Sequence, residues 1–169
     1  MLIDVSYFIK GARQIHNAAV GTLLAPEAKP VVKAIEAYIA ENQERYLVRM
    51  LGNKVGNRVH TYLTCLDEEE NTKHNEYIDA VCSQLRESFA DYVFYQILRG
   101  TNTQATINGV VRIKNANTSV SPIRRQVSAW NSMVERNRLF SSWCESSECQ
   151  LSGIVISKAM ITPINSLNL

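Results

Sequence analysis

The sequence predicts a mainly α protein: a helical bundle of about four helices with one inserted β-hairpin and extended terminal arms. Three observations carry that reading. Apolar residues recur at helical spacing over several long stretches, most clearly in "YIDAVCSQLRESFADYVFYQILR". Cap and stop residues bound those stretches, such as Gly52 after one and Ser121-Pro122 before another. Between the last two stretches lies a Thr-, Asn- and Gln-rich segment that alternates about Asn108-Gly109.

Residues 1–26 hold a short apolar stretch, then Gly11, Gly21 and Pro26. They read as an extended arm with little helix, packed on the domain or reaching a neighbour. From about Glu27 to Leu51 the pattern is helical, with Ile35, Ile39, Tyr46 and Met50 on one stripe flanked by Val31 and Leu47. Pro30 falls in the first turn, where its missing N–H does no harm. Gly52 is a stop signal.

A shorter helix is expected over Lys54–Leu66, from Val55, Val59, Tyr62 and Leu63, ended by the acidic run Asp67–Glu70. That run reads as a solvated loop. Asn71 or Thr72 can cap the next helix, about Lys73–Arg99. Its stripe of Ile78, Val81, Cys82, Leu85, Phe89, Tyr92, Val93 and Gln96 reads as core, with a break at Gly100.

Between Thr103 and Lys114, Ala105, Ile107, Val110 (or Val111) and Ile113 alternate with polar residues. Asn-Gly is the strongest two-residue signal for a type I′ turn, because both central residues need positive φ. A lone two-stranded hairpin is marginal in water. It must lie on its own helices or add to a neighbouring copy by strand addition.

Ser121-Pro122 opens the last helix, which runs to about Glu145 with Ile123, Val127, Trp130, Val134, Phe140 and Cys144 facing one side. Asn137 interrupts that face and needs a hydrogen-bond partner if buried. The tail, Gln150–Leu169, contains the β-branched "LSGIVISKAMITPI" and reads as a strand stopped by Pro163. A single terminal strand must pair with the hairpin, the N-terminal arm or a neighbouring subunit.

The expected organisation is one domain over 1–169, divided as arm 1–26, helices 27–99, hairpin loop 100–120, helix 121–146 and arm 147–169. The core is expected to include Ile35, Ile39, Leu85, Phe89, Val93, Val127, Trp130 and Val134.

The 169 residues are 46% hydrophobic, enough to bury a core. No apolar run approaches the roughly 20 residues that span a bilayer. Asp4 stands where a signal peptide would carry positive charge, so a soluble protein made in the cytoplasm is expected. A net charge of +2 is too mild to argue for nucleic acid by itself.

The four cysteines, Cys65, Cys82, Cys144 and Cys149, form no CxxC and no finger spacing, and reduced thiols are expected. A Cys144–Cys149 bridge has no support from the sequence alone.

Chemistry is hard to find. The sequence holds no phosphate loop, no GxSxG, no HExxH and no calcium loop. His16, His60 and His74 are not spaced for a metal on one helix face. Glu36, Glu41 and Glu44 lie with Lys33 and Arg45 on an ordinary charged helix face. No catalytic residue, metal or cofactor is expected. The alternative to a structural role is a small nucleic-acid-binding module. Arg112, Lys114, Arg124 and Arg125 would meet phosphate, although the aromatic residues sit on helix stripes and not on a stacking platform.

The order of "LIDVSYF", "AIEAYIAENQERYLVRMLG", "YIDAVCSQLRESFADYVFYQILR", "NGVVRIKNANTSVSP" and "RRQVSAWNSMV" resembles the head–tail connector (neck or portal-adaptor) proteins of tailed bacteriophages. The likeness is nearest to those of Bacteroidota and crAss-like phages. It covers most of residues 1–140 and includes no catalytic motif.

The resemblance implies a virion protein without enzymatic activity, located in the neck. It implies a ring of about a dozen copies. The ring would join portal to tail, surround the DNA exit channel, contact the portal protein and another neck or tail protein, and meet packaged DNA in passing. It would involve no membrane. On this reading Ile107, Asn108, Gly109, Val110, Arg112, Ile113, Ile154, Val155 and Ile156 would form subunit or partner contacts. Lys114, Arg124 and Arg125 would face DNA.

Overall fold

The computed structural model describes residues 1–68, 74–106, 109–112 and 122–165, with backbone alone for 67–68, 101–106, 109–112 and 122. The described residues are mainly helical. Four helices form the body: α1 (Ala28–Leu51), α2 (Asn53–Glu68), α3 (Glu76–Asn102) and α4 (Pro122–Cys144).

Helix α1 stops at Gly52, whose φ of 81° lies in the region that favours glycine. Its N–H still reaches Val48 O, 2.9 Å away. The chain then turns into α2, which folds back on α1. Gly56 makes that turn tight, since a Cβ there would stand 2.6 Å from the Val48 Cα and 2.7 Å from the Leu47 carbonyl oxygen.

Asn75 caps α3, its Oδ1 accepting from Ile78 N at 3.2 Å. The described helix therefore begins at Glu76, later than the expected Lys73; Asn71 and Thr72 lie outside the described residues. It also runs past Gly100 to Asn102. Gly100 is not a stop but a close approach, because a Cβ there would collide with the Tyr38 hydroxyl.

Helices α3 and α4 pair antiparallel, as the cross-links Leu98–Gln126, Asp91–Arg136 and Ser88–Asn137 require. The core between the helices includes Tyr46, Leu47, Met50, Leu51, Leu85, Phe89, Met133 and Val134. Of the expected core residues, Ile35, Ile39, Leu85, Phe89, Val93 and Val134 are buried. Val127 and Trp130 are only half-buried, because α4 carries them at the edge of its buried face.

The N-terminal segment packs on the domain, one of its two expected placements, and is less extended than expected. It forms two short 3-10 turns, Val5–Phe8 and Gly11–Arg13, and buries Leu2, Ile3, Val5 and Phe8 in the same core.

The C-terminal segment corrects the expected strand. Within the described residues it is irregular from 151 to 157 and then forms a 3-10 turn, Lys158–Ile161. Its backbone is satisfied by α1: Val155 N donates to Leu51 O at 3.2 Å and Ser157 N to Arg49 O at 2.8 Å. Helix ends leave their last carbonyls without partners, and the tail supplies them. β-branching alone cannot distinguish that role from a sheet strand.

Between α3 and α4, Thr103–Thr106 runs antiparallel to Gly109–Arg112, with Thr106 opposite Gly109. Gly109 thus pairs across the segment and does not stand in a turn as the Asn108-Gly109 expectation required. Residues 107–108 and 113–121 lie outside the described residues. These short segments do not establish the hairpin expected over 100–120.

Candidate functional site

Two polar constellations tie the termini to the bundle. The first is centred on Asn137, fully buried on α4. Its Oδ1 accepts from Ser88 Oγ at 2.6 Å and from Tyr46 Oη at 3.3 Å, and Tyr46 and Ser88 also bond to each other. Its Nδ2 donates to Met160 O at 2.8 Å. The sequence expectation that Asn137 would find partners holds. Burial, with smaller contributions from Asp91 and Tyr92, pushes the Tyr46 hydroxyl far above its ordinary range, so it stays a neutral donor.

From there α4 grips the tail through its backbone. Asn131 Nδ2 donates to Ile164 O at 3.0 Å, and its Oδ1 accepts from Ile164 N at 2.9 Å. Trp130 Nε1 donates to Thr162 O at 3.0 Å and Arg138 Nε to Ile161 O at 3.1 Å. The Trp130 ring packs edge-on against Tyr95, with centroids 4.9 Å apart. Trp130 is therefore a clamp on the tail before it is a core residue.

The second constellation is ionic. Asp91 on α3 takes Arg13 at 3.1 Å and Arg136 at 2.8 Å, and Glu87 takes Arg13 at 2.5 Å. The N-terminal segment, α3 and α4 meet at this carboxylate. Burial raises its pKa above the ordinary aspartate value, while the two arginines pull it back. Both constellations hold the molecule together. The first is dry around Asn137, whereas Glu87 and Arg136 of the second keep about half of their side-chain surface exposed.

Elsewhere, Tyr62 Oη donates to Asp79 Oδ1 at 2.8 Å and accepts from Asn75 N at 2.9 Å. His74 stands 3.3 Å from Asp79 and is exposed. This set closes the start of α3 onto α2. Among the described residues there is no group of three or more His, Cys, Asp or Glu that could hold a metal, and no helix is long and apolar enough to cross a membrane.

The expected contact residues divide. Ile107, Asn108, Ile113 and Lys114 lie outside the described residues, and Gly109, Val110 and Arg112 are described by backbone alone. Ile154 and Ile156 are half-buried and pack against the chain's own core. Val155 remains 67% exposed. Arg124 and Arg125 are exposed, and Arg125 lies 5.2 Å from the Phe94 ring centroid. Leu139, 72% exposed on α4, and Leu23, 98% exposed, were not among the expected contacts. Leu139 was legible as an apolar residue off the buried stripe of α4.

Comparison with protein-family models, with curated proteins and with solved structures finds no match.

Proposed function

We propose that the chain is a structural virion protein without enzymatic activity: a ring-forming subunit of a phage neck that joins portal to tail around the DNA exit channel. One observation carries most of the weight. Helices α3 and α4 are antiparallel neighbours, yet residues 103–121 separate them. Connections between packed helices need only about 2–8 residues. A connection of this length and polar composition exceeds what the pairing of α3 with α4 needs.

In this reading residues 103–120, beyond the end of α3, form a β-hairpin arm that adds to the next copy, with Ile107, Asn108, Gly109, Val110, Arg112 and Ile113 at the joint. A closed ring needs such a head-to-tail contact, unlike a two-fold dimer. In the tail, Val155 presents most of the contact surface, and the half-buried Ile154 and Ile156 add what they leave exposed. Exposed Leu139 and Leu23 offer further contact area to the portal protein or to another neck or tail protein. The mild net charge of +2 suits a channel that DNA passes without being held.

The reading is tested on purified particles of the phage that carries this chain. Peptides of the chain in intact virions, and label confined to the neck in antibody-labelled micrographs, are the expected result. Virions that lack the chain overturn the reading.

A further inference from the structure

A cleft opens where α4 ends and the tail begins. Its volume is about 510 Å³, and its lining includes Cys144, Cys149, Leu151, Ile154, Ile156 and Ile161. Both cysteines are half-buried, and neither is in a disulfide.

The turn between them is held by its own bonds. Glu145 N donates to Ser142 O at 3.2 Å and Ser146 N to Trp143 O at 3.0 Å. Ser146 Oγ donates to the same Trp143 carbonyl at 2.7 Å, and Trp143 Nε1 donates to Glu148 Oε2 at 3.1 Å. The indole thus draws Glu148, and Cys149 after it, back over the last turn of α4. The Cys149 thiol donates to the Leu151 carbonyl at 3.8 Å and lines the same cleft as Cys144, whose own thiol is pushed up to about 12, first by burial and then by Cys149.

We propose that Cys144 and Cys149 form a preorganised dithiol that reacts with small-molecule disulfides of the glutathione class and closes into a bridge pinning the tail to α4. In the first step the Cys149 thiolate attacks one sulfur of the oxidised reagent. That S–S bond breaks, and one reagent thiolate leaves and takes up a proton. In the second step Cys144, giving up its proton, attacks the Cys149 sulfur of the mixed disulfide. The protein S–S bond forms as the second reagent thiol departs with that proton. Two protein thiols lose two electrons, and one reagent disulfide becomes two thiols. Cys144 closes α4 and Cys149 lies in the segment beyond the turn, so Cys149 takes the first step and Cys144 the second.

The consequence is mechanical. Downstream of Cys149 the tail supplies Val155 and Ser157 to the α1 carbonyls and Met160 to the core. A bridge at Cys149 fixes the segment from which this strap departs. The dithiol does not depend on whether the chain assembles into rings.

The test uses the full chain in glutathione buffers of graded redox ratio, quenched with acid and alkylated. Trypsin cuts after Arg138 and Lys158, so both cysteines fall in one peptide, 139–158. At excess oxidised glutathione this peptide is expected to lose two hydrogens and take no alkyl group. The ratio of bridge to dithiol is expected to be at least about tenfold higher in the folded chain than in urea at the same buffer ratio. Cys144→Ser is expected to stop at a glutathione adduct on Cys149. A peptide that stays dithiol, carries two glutathione adducts, or closes equally well in urea overturns the proposal, whether or not the variant folds.

Discussion

Asn137 of α4 donates from Nδ2 to the backbone carbonyl of Met160, 2.8 Å away, and both residues are fully buried. A polar side chain in the middle of an apolar helix face thus receives the C-terminal segment. Its Oδ1 is occupied by Ser88 and Tyr46, so one amide joins α4 to α3, α1 and the tail. Asn137→Ala leaves Ser88 Oγ and the Met160 carbonyl without this partner in a dry setting. The expected loss is about 3 kcal/mol, read as a lower urea midpoint. An unchanged midpoint would mean that the tail is not docked in solution.

Met160 has no exposed surface at all, unlike the rest of its 3-10 turn. Met160→Ala should cost about 2–4 kcal/mol, through lost burial and the cavity left behind. Chemical denaturation checks the figure. Proteolysis checks the mechanism, with cleavage within residues 150–165 rising in the variant.

Much of this was legible in the sequence. Ile35, Ile39, Leu85, Phe89, Val93 and Val134 followed from helical periodicity and are buried. Asn137 was legible as a polar break that needed partners. The tail was not. Ile154, Val155 and Ile156 look like a strand to any propensity argument, but their neighbours are the open carbonyls of α1 and the side chains of α4. Nothing local in the sequence names those partners. Gly100 misled for a similar reason: a glycine that admits the Tyr38 hydroxyl reads the same as one that stops a helix. Of the candidate contacts, the hairpin stood on alternation and on turn chemistry, and Thr106 pairing with Gly109 departs from the turn placed at Asn108-Gly109.

Gly56 permits α2 to lie against the α1 backbone. Gly56→Ala puts a methyl group 2.6 Å from the Val48 Cα, where no flexible side chain can yield. A loss of about 2–3 kcal/mol is expected from forced separation of the two helices. A variant as stable as the parent would show that the helices separate at no cost.

Tyr92 has a buried hydroxyl with no partner among the described residues. Removing such a group relieves a desolvation cost without breaking a bond. Tyr92→Phe should raise stability by up to about 1 kcal/mol. A clear loss would reveal a partner for that hydroxyl.

The Asp91 carboxyl is raised above its ordinary 3.8, first by burial, against the pull of Arg13 and Arg136. With a folded pKa above the unfolded one, the folded chain binds the proton more readily in the window just above 3.8. This group's contribution to stability therefore grows as pH falls through its folded pKa and shrinks as pH rises through it. The difference in stability between the parent chain and Asp91→Asn should shift toward the parent on going from about pH 6 to about pH 4. A shift toward the variant would mean that the arginines outweigh burial.

The proposed neck role rests on assembly, and particle mass tests it most directly. Mass photometry over a range of concentrations, alone and with the portal protein added, should find closed rings of about a dozen copies. The same chain with residues 103–121 replaced by a short Gly-Ser linker should keep its melting temperature and lose the rings. A monomer at every concentration, with the portal protein as well as without it, would contradict the account.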